Sequence, residues 1–423
     1  MDTIYALSSG QPPAGIAVVR ITGPKALQTL RNISGKAPLP RRATLAALKD
    51  GDTLLDNGLT LFFPGPNSAT GEDVAELHLH GGRAVVAAVM AALARFDGLR
   101  PAEPGEFTRR ALEHGRIDLT EAEGLADLLE AETESQRRSA LLMAGGALSR
   151  QIVGWTGRLL QLAAAVEAVL DFGDEGDVGE GLPAGWAGDL GGLAGEIETM
   201  LGRPAAERLK DGVRVVIAGP PNAGKSTLLN ALVGREAAIT SDVPGTTRDL
   251  IEVPMSIAGT PFLLTDSAGL RAAGDVVESI GVERAEAAIG AADIVLWLGE
   301  AEQQPDRGGV IAIQAKSDVA RETSSGELRV SARTGEGMEQ LVGALLERAK
   351  ALLPREGEVA INARHRAGLG LALSHLAAAQ DELDLLILAE ELRQARVALD
   401  QVTGRAGVED MLDSLFGRFC IGK

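Results

Sequence analysis

The strongest chemical signal in the sequence is a glycine-rich loop at residues 219–226, which reads Gly-Pro-Pro-Asn-Ala-Gly-Lys-Ser. It fits the pattern G-x-x-x-x-G-K-S and lies between a β-branched strand at 213–218 and a predicted helix at 227–233. Such a loop binds phosphates through backbone N–H groups at a helix N-terminus. Lys225 would supply positive charge to the β- and γ-phosphates, and the Ser226 hydroxyl would ligate Mg²⁺. The loop predicts a nucleoside triphosphate site.

Two further motifs follow in the order that a nucleotide switch requires. Asp266 opens the sequence Asp-Ser-Ala-Gly, where its carboxylate could hold the hydration shell of the magnesium and the Gly269 amide could lie near the γ-phosphate. Between this motif and the first loop, residues 245–249 read Gly-Thr-Thr-Arg-Asp, and a threonine hydroxyl there could close over the metal. The three motifs together indicate a switch that responds to the γ-phosphate.

The base is predicted from the residues that follow a strand at 310–313. Lys316 and Asp318 indicate guanine, because a carboxylate accepts two hydrogen bonds from the ring N–H and the exocyclic amine of that base. Ser331, Ala332 and Arg333 would add a backbone contact near the same base. Ala315 stands where the usual N-K-x-D pattern has asparagine. We therefore expect weakened nucleotide affinity with unchanged specificity for guanine.

The sequence lacks one catalytic residue that many small GTPases use. Leu270, and not glutamine, follows Gly269, so the attacking water must be oriented from elsewhere. Asp275, Glu278 and Glu283 are candidates, although acids in a helix of this kind are more often solvated surface.

The length of 423 residues and the pattern of apolar residues predict several domains. The first segment is α+β, residues 119–172 are helical, and residues 173–192 are acidic and glycine-rich, which predicts a surface loop. Strands and helices then alternate to about residue 353, and the remainder is helical. We predict an N-terminal domain at 1–115, helical segments at 116–209 and 354–423, and an α/β domain inserted between them at 210–353.

Composition narrows the possible partners and compartments. With 41 basic and 59 acidic residues the formal charge is -18, which argues against a broad basic surface for nucleic acid and requires any such contact to be local. The single cysteine, Cys420, excludes an internal disulfide, and the N-terminus does not have the order of a signal peptide. We found no apolar run of about 20 residues. These features predict a cytoplasmic protein without a membrane segment.

Several motifs together resemble one family, the bacterial and organellar tRNA modification GTPases called MnmE or TrmE. They are GPPNAGKS, GTTRD, DSAGLR, TGEDVAELHLHGG at 70–82, PGEFTRRA at 104–111, NARHR at 362–366 and the terminal FCIGK, and they cover nearly the whole chain. The resemblance implies an N-terminal α+β domain that dimerises and binds folate, a discontinuous helical bundle, and an inserted Ras-like P-loop G domain.

The resemblance also implies a reaction and its participants. Family members form homodimers through the N-terminal domain and assemble with MnmG into a heterotetramer. They use GTP, Mg²⁺, K⁺ and a tetrahydrofolate one-carbon donor, either 5-formyl- or methylene-tetrahydrofolate. The product is tRNA with a 5-carboxymethylaminomethyl group on the wobble uridine.

Carried onto this sequence, the resemblance assigns a role to each predicted site residue. Potassium, held by Asn222, Ser241, Val243 and Thr246, would provide in cis the charge that an arginine finger gives at the transition state. Magnesium would be held by Ser226 and Thr247, and Glu278 would polarise the attacking water. Folate would be bound by Arg20, Glu76, Arg116 and Lys423.

The catalytic set is Glu278, Lys225 and Cys420, and Cys420 could equally be a small apolar residue that packs beside Phe419. The predicted GTP-binding residues are Asn222, Ala223, Gly224, Lys225, Ser226, Thr227, Ser241, Asp242, Val243, Pro244, Gly245, Thr246, Thr247, Asp266, Ser267, Ala268, Gly269, Lys316, Asp318, Ser331, Ala332 and Arg333.

Two alternatives remain open from the residues. A ribosome-assembly GTPase would share the switch motifs, but it usually carries a basic RNA-binding module that this chain does not show. A scaffold with weakened nucleotide binding is suggested by Ala315. For tRNA, candidate positive patches are residues 364–366 and Arg393, Arg396 and Arg405, with His365 expected on a helix surface.

Overall fold

The computed structural model describes residues 2–36, 38–172, 181–235, 237–238, 252–266, 278–318, 328–405, 415–417, 419 and 421–422. The side chains of 172, 237–238 and 278–284 lie outside that description. The chain forms two units, Met1–Ala126 with Asp400–Lys423, and Asp127–Leu399. The three predicted domain boundaries stay a prediction.

The first unit is built on a six-stranded sheet with strand order β3-β4-β5-β2-β1-β6. Only the β1–β6 pair is parallel among these strands. Alternate residues of β2 and β5 are buried, as expected for strands with one face on a core. The strands are β1 (Thr3–Leu7), β2 (Ile16–Thr22), β3 (Thr44–Asp50), β4 (Thr53–Phe63), β5 (Val74–His80) and β6 (Leu99–Pro101). The helices of this part of the chain are α1 (Ala26–Ser34), α2 (Arg83–Leu93), α3 (Glu106–Glu113) and α4 (Leu119–Glu130).

A buried ion network joins α3 to the end of the sheet at which β1 and β5 begin. Arg110 on α3 is 6% exposed and its guanidinium donates to Glu106, Glu72 and the Asp2 carboxylate at 2.9, 3.1 and 2.8 Å. Burial raises the pKa of Glu106, but hydrogen bonds from Arg100 and Arg110 outweigh it, so that pKa lies below its usual 4.5. The stabilisation from Glu106 is therefore complete above that value and is lost as the pH falls through the lowered pKa.

The far end of the chain packs within the same unit. Ile421 forms an antiparallel bridge with Pro104, and the Ser8 hydroxyl donates to the Gly422 carbonyl at 2.7 Å. Gly422 has a φ of 101°, and a side chain there would meet the Leu7 carbonyl oxygen at 2.2 Å. Only glycine therefore fits at this position.

The second unit contains a seven-stranded sheet with strand order β13-β12-β11-β7-β10-β9-β8. The strands from β10 through β7, β11 and β12 to β13 are all parallel, and β9 is antiparallel to β10. The strands are β7 (Val213–Ala218), β8 (Ala237–Ala238), β9 (Glu252–Ile257), β10 (Thr260–Asp266), β11 (Ile294–Trp297), β12 (Val310–Ala315) and β13 (Leu328–Val330). Their helices are α9 (Lys225–Arg235), α10 (Glu278–Ala291) and α11 (Met338–Leu352), with a short 3-10 helix at Ala301–Gln303.

Helices before and after this sheet in the sequence form the rest of the second unit. They are α5 (Glu134–Ala144), α6 (Ala147–Phe172), α7 (Trp186–Leu201), α8 (Ala206–Asp211), α12 (Ala363–Asp381) and α13 (Leu385–Thr403), the last of which continues past residue 399. The predicted fold class, an N-terminal α+β part, helices on both sides and an inserted α/β part, is confirmed.

One prediction for this region is wrong. The segment 173–192 was expected to be a surface loop, but α7 begins at Trp186, and residues 173–180 lie outside the described part. Trp186 is 7% exposed and its indole N–H donates to the Leu162 carbonyl at 3.0 Å. Leu190 and Leu193 are also buried, so tertiary packing overrides the low helix propensity of the glycines.

One helical stretch, Glu134–Asp171, is long and apolar enough to cross a membrane by length and composition alone. Its buried residues recur on one face, as in a helix that packs against other helices. Within α6 they are Leu148, Ile152, Trp155, Leu159, Leu162 and Val166. This evidence for a membrane segment is therefore weak.

Replacing Arg110 should destabilise the first unit selectively. Arg110→Ala removes the cation that pairs with Glu72 and one of the two cations that pair with Glu106, and removing one partner of such a buried pair typically costs about 3–5 kcal/mol. We expect faster amide hydrogen exchange in β1 and α3 of the full chain. Arg95→Ala is the matched control, since its pair with Asp50 is exposed and should contribute less than about 1 kcal/mol. Equal protection in both variants would contradict the role of the network.

Candidate functional site

The phosphate-binding loop connects β7 to α9 at the edge where the parallel strands end. Gly219 and Gly224 have φ of 146° and 100°, and Asn222 has a φ of 60°. These conformations curl the loop ahead of the first turn of α9. The Lys225 ammonium is 6% exposed and donates to the Gly219 and Pro220 carbonyls at 3.0 and 2.8 Å. The loop thus places a positive charge beside the N-terminus of a helix, which suits a polyphosphate.

The predicted magnesium ligands meet through the register of two strands. β10 runs parallel to β7 with Asp266 opposite Ile217, so the end of β10 lies beside the loop that follows β7. The Ser226 hydroxyl donates to the Asp266 carboxylate at 2.5 Å, and Asp266 is 3% exposed. Magnesium favours oxygen ligands and keeps waters and substrate phosphates in its shell, so one hydroxyl and one carboxylate fit it. Within the described ranges no cluster of three His, Cys, Asp or Glu side chains could hold a metal.

The predicted base-binding residues line a cavity of about 250 Å³. The Lys316 ammonium donates to the Asn222 carbonyl at 2.7 Å, which links this cavity to the phosphate loop. The Asp318 carboxylate accepts from the Ser331 hydroxyl at 2.8 Å. The lining residues are Gly224, Thr227, Leu228, Ala315, Lys316, Asp318, Val330, Ser331, Ala332 and Arg333.

Two residues beside this cavity were missed by the sequence analysis. The Ser317 hydroxyl donates to the Glu336 carboxylate at 2.9 Å, and Ser317 is 6% exposed. Ser317 occupies the variable position of the N-K-x-D pattern, and Glu336 lies 19 residues further on, so no local spacing relates them.

Part of the predicted site lies outside the described residues. This holds for Ser241, Asp242, Val243, Pro244, Gly245, Thr246, Thr247, Ser267, Ala268, Gly269, Cys420 and Lys423. Glu278 is the first residue of α10, and its side chain is outside the description. The roles assigned to these residues stay predictions.

A second cavity, of about 440 Å³, lies in the first unit and contains predicted folate residues. Arg20 and Glu76 face each other across β2 and β5, and the Arg20 guanidinium donates to one Glu76 carboxylate oxygen at 2.9 and 3.0 Å. Arg116 Nε donates to the Ser68 carbonyl at 3.2 Å. The lining residues are Arg20, Ser68, Ala69, Thr70, Phe107, Thr108, Ala111, Arg116, Ile117 and Leu125.

The aromatic wall of this second cavity was not predicted as part of a site. Phe107 is 3% exposed, and the Arg20 guanidinium lies 5.9 Å from the centre of its ring. The cavity therefore combines an apolar wall with two cations, which suits a flat, partly anionic ligand. Thr70 and Phe107 lie in the segments 70–82 and 104–111, which carry the family resemblance, and these motifs were the sequence feature that could have identified this wall.

One candidate patch for nucleic acid has a structural role instead. His365 was expected on a helix surface, but it is 1% exposed and forms a capping box with Asn362 at the start of α12. Arg366 donates to the Leu201 and Arg203 carbonyls at 2.7 and 2.5 Å. The expectation for His365 is therefore wrong, and Arg366 stabilises the helices. Arg393 and Arg396 are exposed.

The chain matches known proteins along its whole length. A family model described as the MnmE helical domain matches residues 119–420, and one described as the GTP-binding protein TrmE N-terminus matches residues 3–116. The tRNA modification GTPase MnmE of Rhizorhabdus wittichii is 60% identical, with 100% of this chain and 97% of that protein covered. The protein of the same name from Erythrobacter litoralis is 56% identical, with 100% of both chains covered.

Among solved structures, the G domain of the T. maritima FeoB iron transporter is similar over a shorter range. It covers 32% of this chain and 98% of its own length, at 27% identity and a TM-score of 0.25.

Asp318→Asn should change which base the cavity prefers. An amide can donate to the C2 carbonyl of xanthine, whereas it accepts poorly from the N–H groups of guanine. We expect the affinity for GDP to fall on the order of tenfold or more and the affinity for xanthosine diphosphate to rise, measured with fluorescent nucleotides. Asp306→Asn, outside the cavity lining, is the control. Unchanged GDP affinity in Asp318→Asn would remove this residue from the base site.

Proposed function

The chain belongs to the MnmE family of tRNA modification GTPases and is a GTP hydrolase, and from this premise we propose how it works. We propose that it is potassium-dependent and that it acts with MnmG to install a 5-carboxymethylaminomethyl group on the wobble uridine of tRNA. The one-carbon unit comes from a tetrahydrofolate. The observation that carries the proposal is the full-length family match combined with a phosphate loop and an adjoining cavity of about 250 Å³ that share Gly224.

The phosphate end of the site is organised by residues of this chain. Lys225 neutralises the β- and γ-phosphates, and the helix N-terminus of α9 adds backbone donors. The adjacent Ser226 and Asp266, together with Thr247, would hold magnesium, which would supply further positive charge at the phosphates. Because the Asp266 carboxylate is buried, its direction is fixed before the nucleotide arrives.

Hydrolysis needs a group that orients water and one that offsets charge at the transition state. Potassium, when bound by Asn222, Ser241, Val243 and Thr246, supplies positive charge in cis. Glu278 polarises the water, since Leu270 cannot. Asn222 supports this assignment because its backbone carbonyl is already held by Lys316 at 2.7 Å, which fixes the loop that carries it.

The cavity of the first unit is proposed to bind the tetrahydrofolate. The folate, when bound, supplies the one-carbon unit, either as the 5-formyl or the methylene derivative. Arg20 and Arg116 attract its anionic glutamate tail, Glu76 accepts hydrogen bonds from its pterin, and Lys423 completes the set. Phe107 packs against its flat ring.

The proposal extends to assembly and location. We infer a homodimer through the N-terminal domain, a heterotetramer with MnmG and a cytoplasmic location. With a formal charge of -18, tRNA must be held by a local patch, for which the exposed Arg393 and Arg396 on α13 are candidates. Cys420 is proposed to take part in the modification chemistry.

The family match sets aside the ribosome-assembly alternative. The scaffold alternative is disfavoured because a decayed site would not retain the buried lysine, the Ser226–Asp266 contact and the cavity at Asp318 together.

GTP hydrolysis in potassium and in sodium tests the catalytic proposal. Turnover should fall on the order of tenfold or more in sodium, because the cis charge is lost. Glu278→Ala should lower kcat about 100-fold with little change in nucleotide affinity, since it acts only on the water. Glu286→Ala, an exposed acid on the same helix, is the matched control. Equal turnover in both salts would overturn potassium dependence, and an active Glu278→Ala would place the catalytic acid elsewhere.

Direct binding of 5-formyltetrahydrofolate tests the second cavity. Arg116→Ala should weaken binding roughly tenfold because one cation for the glutamate tail is lost, whereas Arg116→Lys should retain most of it. Isothermal calorimetry on the full chain measures this without tRNA or MnmG. The exposed Arg42→Ala serves as control. If Arg116→Ala bound as tightly as the parent chain, this cavity would not be the folate site.

A further inference from the structure

We propose that the Ser317–Glu336 hydrogen bond is a positioning contact that holds the two guanine-binding loops together and replaces the asparagine absent at position 315. The two loops are the β12 loop, residues 316–318, and the β13 loop, residues 331–337. The inference rests on the assignment of guanine recognition to Lys316 and Asp318, which is part of the proposed function.

Ser317 lies between the two base-reading residues and turns all its polar groups toward the β13 side. Its N–H donates to the Val330 carbonyl at 3.3 Å, and its carbonyl accepts from the Arg329 guanidinium at 3.3 Å. Its hydroxyl donates to the Glu336 carboxylate at 2.9 Å. The residue is buried, whereas Lys316 and Asp318 on either side are exposed toward the ligand. Ser317 therefore acts on the base only through the positions of its neighbours.

Glu336 is held by hydrogen bonds of both its main chain and its side chain. Its carbonyl accepts from the Ser331 N–H at 2.9 Å, so both its main chain and its side chain bind the base-reading loops. It stands between Gly335 and Gly337, whose φ are 85° and 73°. A side chain at Gly337 would meet the Arg329 carbonyl oxygen at 1.8 Å. Gly337 also precedes the first turn of α11, so the position of Glu336 is tied to a rigid helix.

The contact compensates for a tether that Ala315 cannot make. Ala315 lines the base cavity, but a methyl group offers neither donor nor acceptor. The direct link between the loops at the ligand is the Ser331–Asp318 hydrogen bond, and it uses the same carboxylate that must accept from guanine. The Ser317–Glu336 bond lies behind that carboxylate and does not compete with the base.

The consequence for function is kinetic. If the loops separate more readily, Asp318 and the Ser331 loop lose their common spacing and the nucleotide leaves sooner. A hydrogen bond of ordinary net strength corresponds to about fivefold in an equilibrium or rate constant. The chemical step at the γ-phosphate should be unaffected, because the contact touches only the base side.

Release of fluorescent GDP from the full chain, followed by stopped flow, tests the proposal. Ser317→Ala and Glu336→Ala should each release GDP about fivefold faster, and the double variant should be no faster than either, because both remove the same bond. Glu336→Gln keeps an acceptor and should stay near the parent rate. Glu339→Ala, an exposed acid in the first turn of α11, should not change release. At saturating GTP, kcat should be the same in all of them.

Ala315→Asn placed in the Glu336→Ala background should slow release again, because the missing tether is restored. Parent-like release from either single variant, or multiplied effects in the double variant, would overturn the positioning contact. Failure of Ala315→Asn to slow release would overturn the replacement of the asparagine.

Asp318→Asn, measured in the same assay, separates the positioning contact from the assignment of guanine recognition to Lys316 and Asp318. If Asp318→Asn binds GDP normally, the assignment of the base site fails. If Asp318→Asn loses GDP while Ser317→Ala does not, only the positioning contact fails.

Discussion

The parallel register of β7 with its neighbours is the constraint on which the nucleotide site depends. In parallel strands all carboxyl ends lie at one edge, so four separate sequence segments meet there without any direct sequence relation. β7 leads to the phosphate loop, β10 ends in Asp266, β12 leads to Lys316, and β13 leads to Ser331. A shift of β10 by two residues would move Asp266 by about 7 Å and separate it from Ser226. The chemistry at the γ-phosphate is thus set by packing in the interior of the sheet.

In the first unit, antiparallel strand pairing brings the predicted folate residues together. Because β2 and β5 pair with Arg20 opposite Glu76, a cation and an acid face each other on the side of the sheet away from its core. The buried Arg110 network then fixes α3, which carries Phe107, against the edge of the sheet. Desolvating these charges is costly, so the network favours one arrangement of the cavity wall over alternatives in which an ion would be left unpaired.

The sequence predicted most of what is local and less of what is not. The phosphate loop, the pair Lys316 and Asp318, and the bounds of β7 follow from short patterns, because each depends on neighbours within a few residues, whereas the meeting of these segments around one cavity depends on strand register. The start of α7 did not, since glycine-rich composition indicates a loop and only the packing of Trp186 makes a helix favourable there. The position of His365 was predicted wrongly because the sequence does not distinguish a histidine that caps a helix and is buried from a polar residue on the helix surface. The Ser317–Glu336 bond could not be read from spacing at all.

The antiparallel bridge at Ile421 and the Ser8–Gly422 hydrogen bond bear on how the protein is made. Ser8 and Gly422 are separated by 414 residues, and a ribosome adding about 5–20 residues per second needs about 20 to 80 seconds to cover that distance. During this interval Ser8 lacks its Gly422 partner, while the whole α/β sheet of the second unit is synthesised. A chain truncated before residue 421 would therefore contain every strand of the nucleotide site but would lack both of these contacts in its first unit.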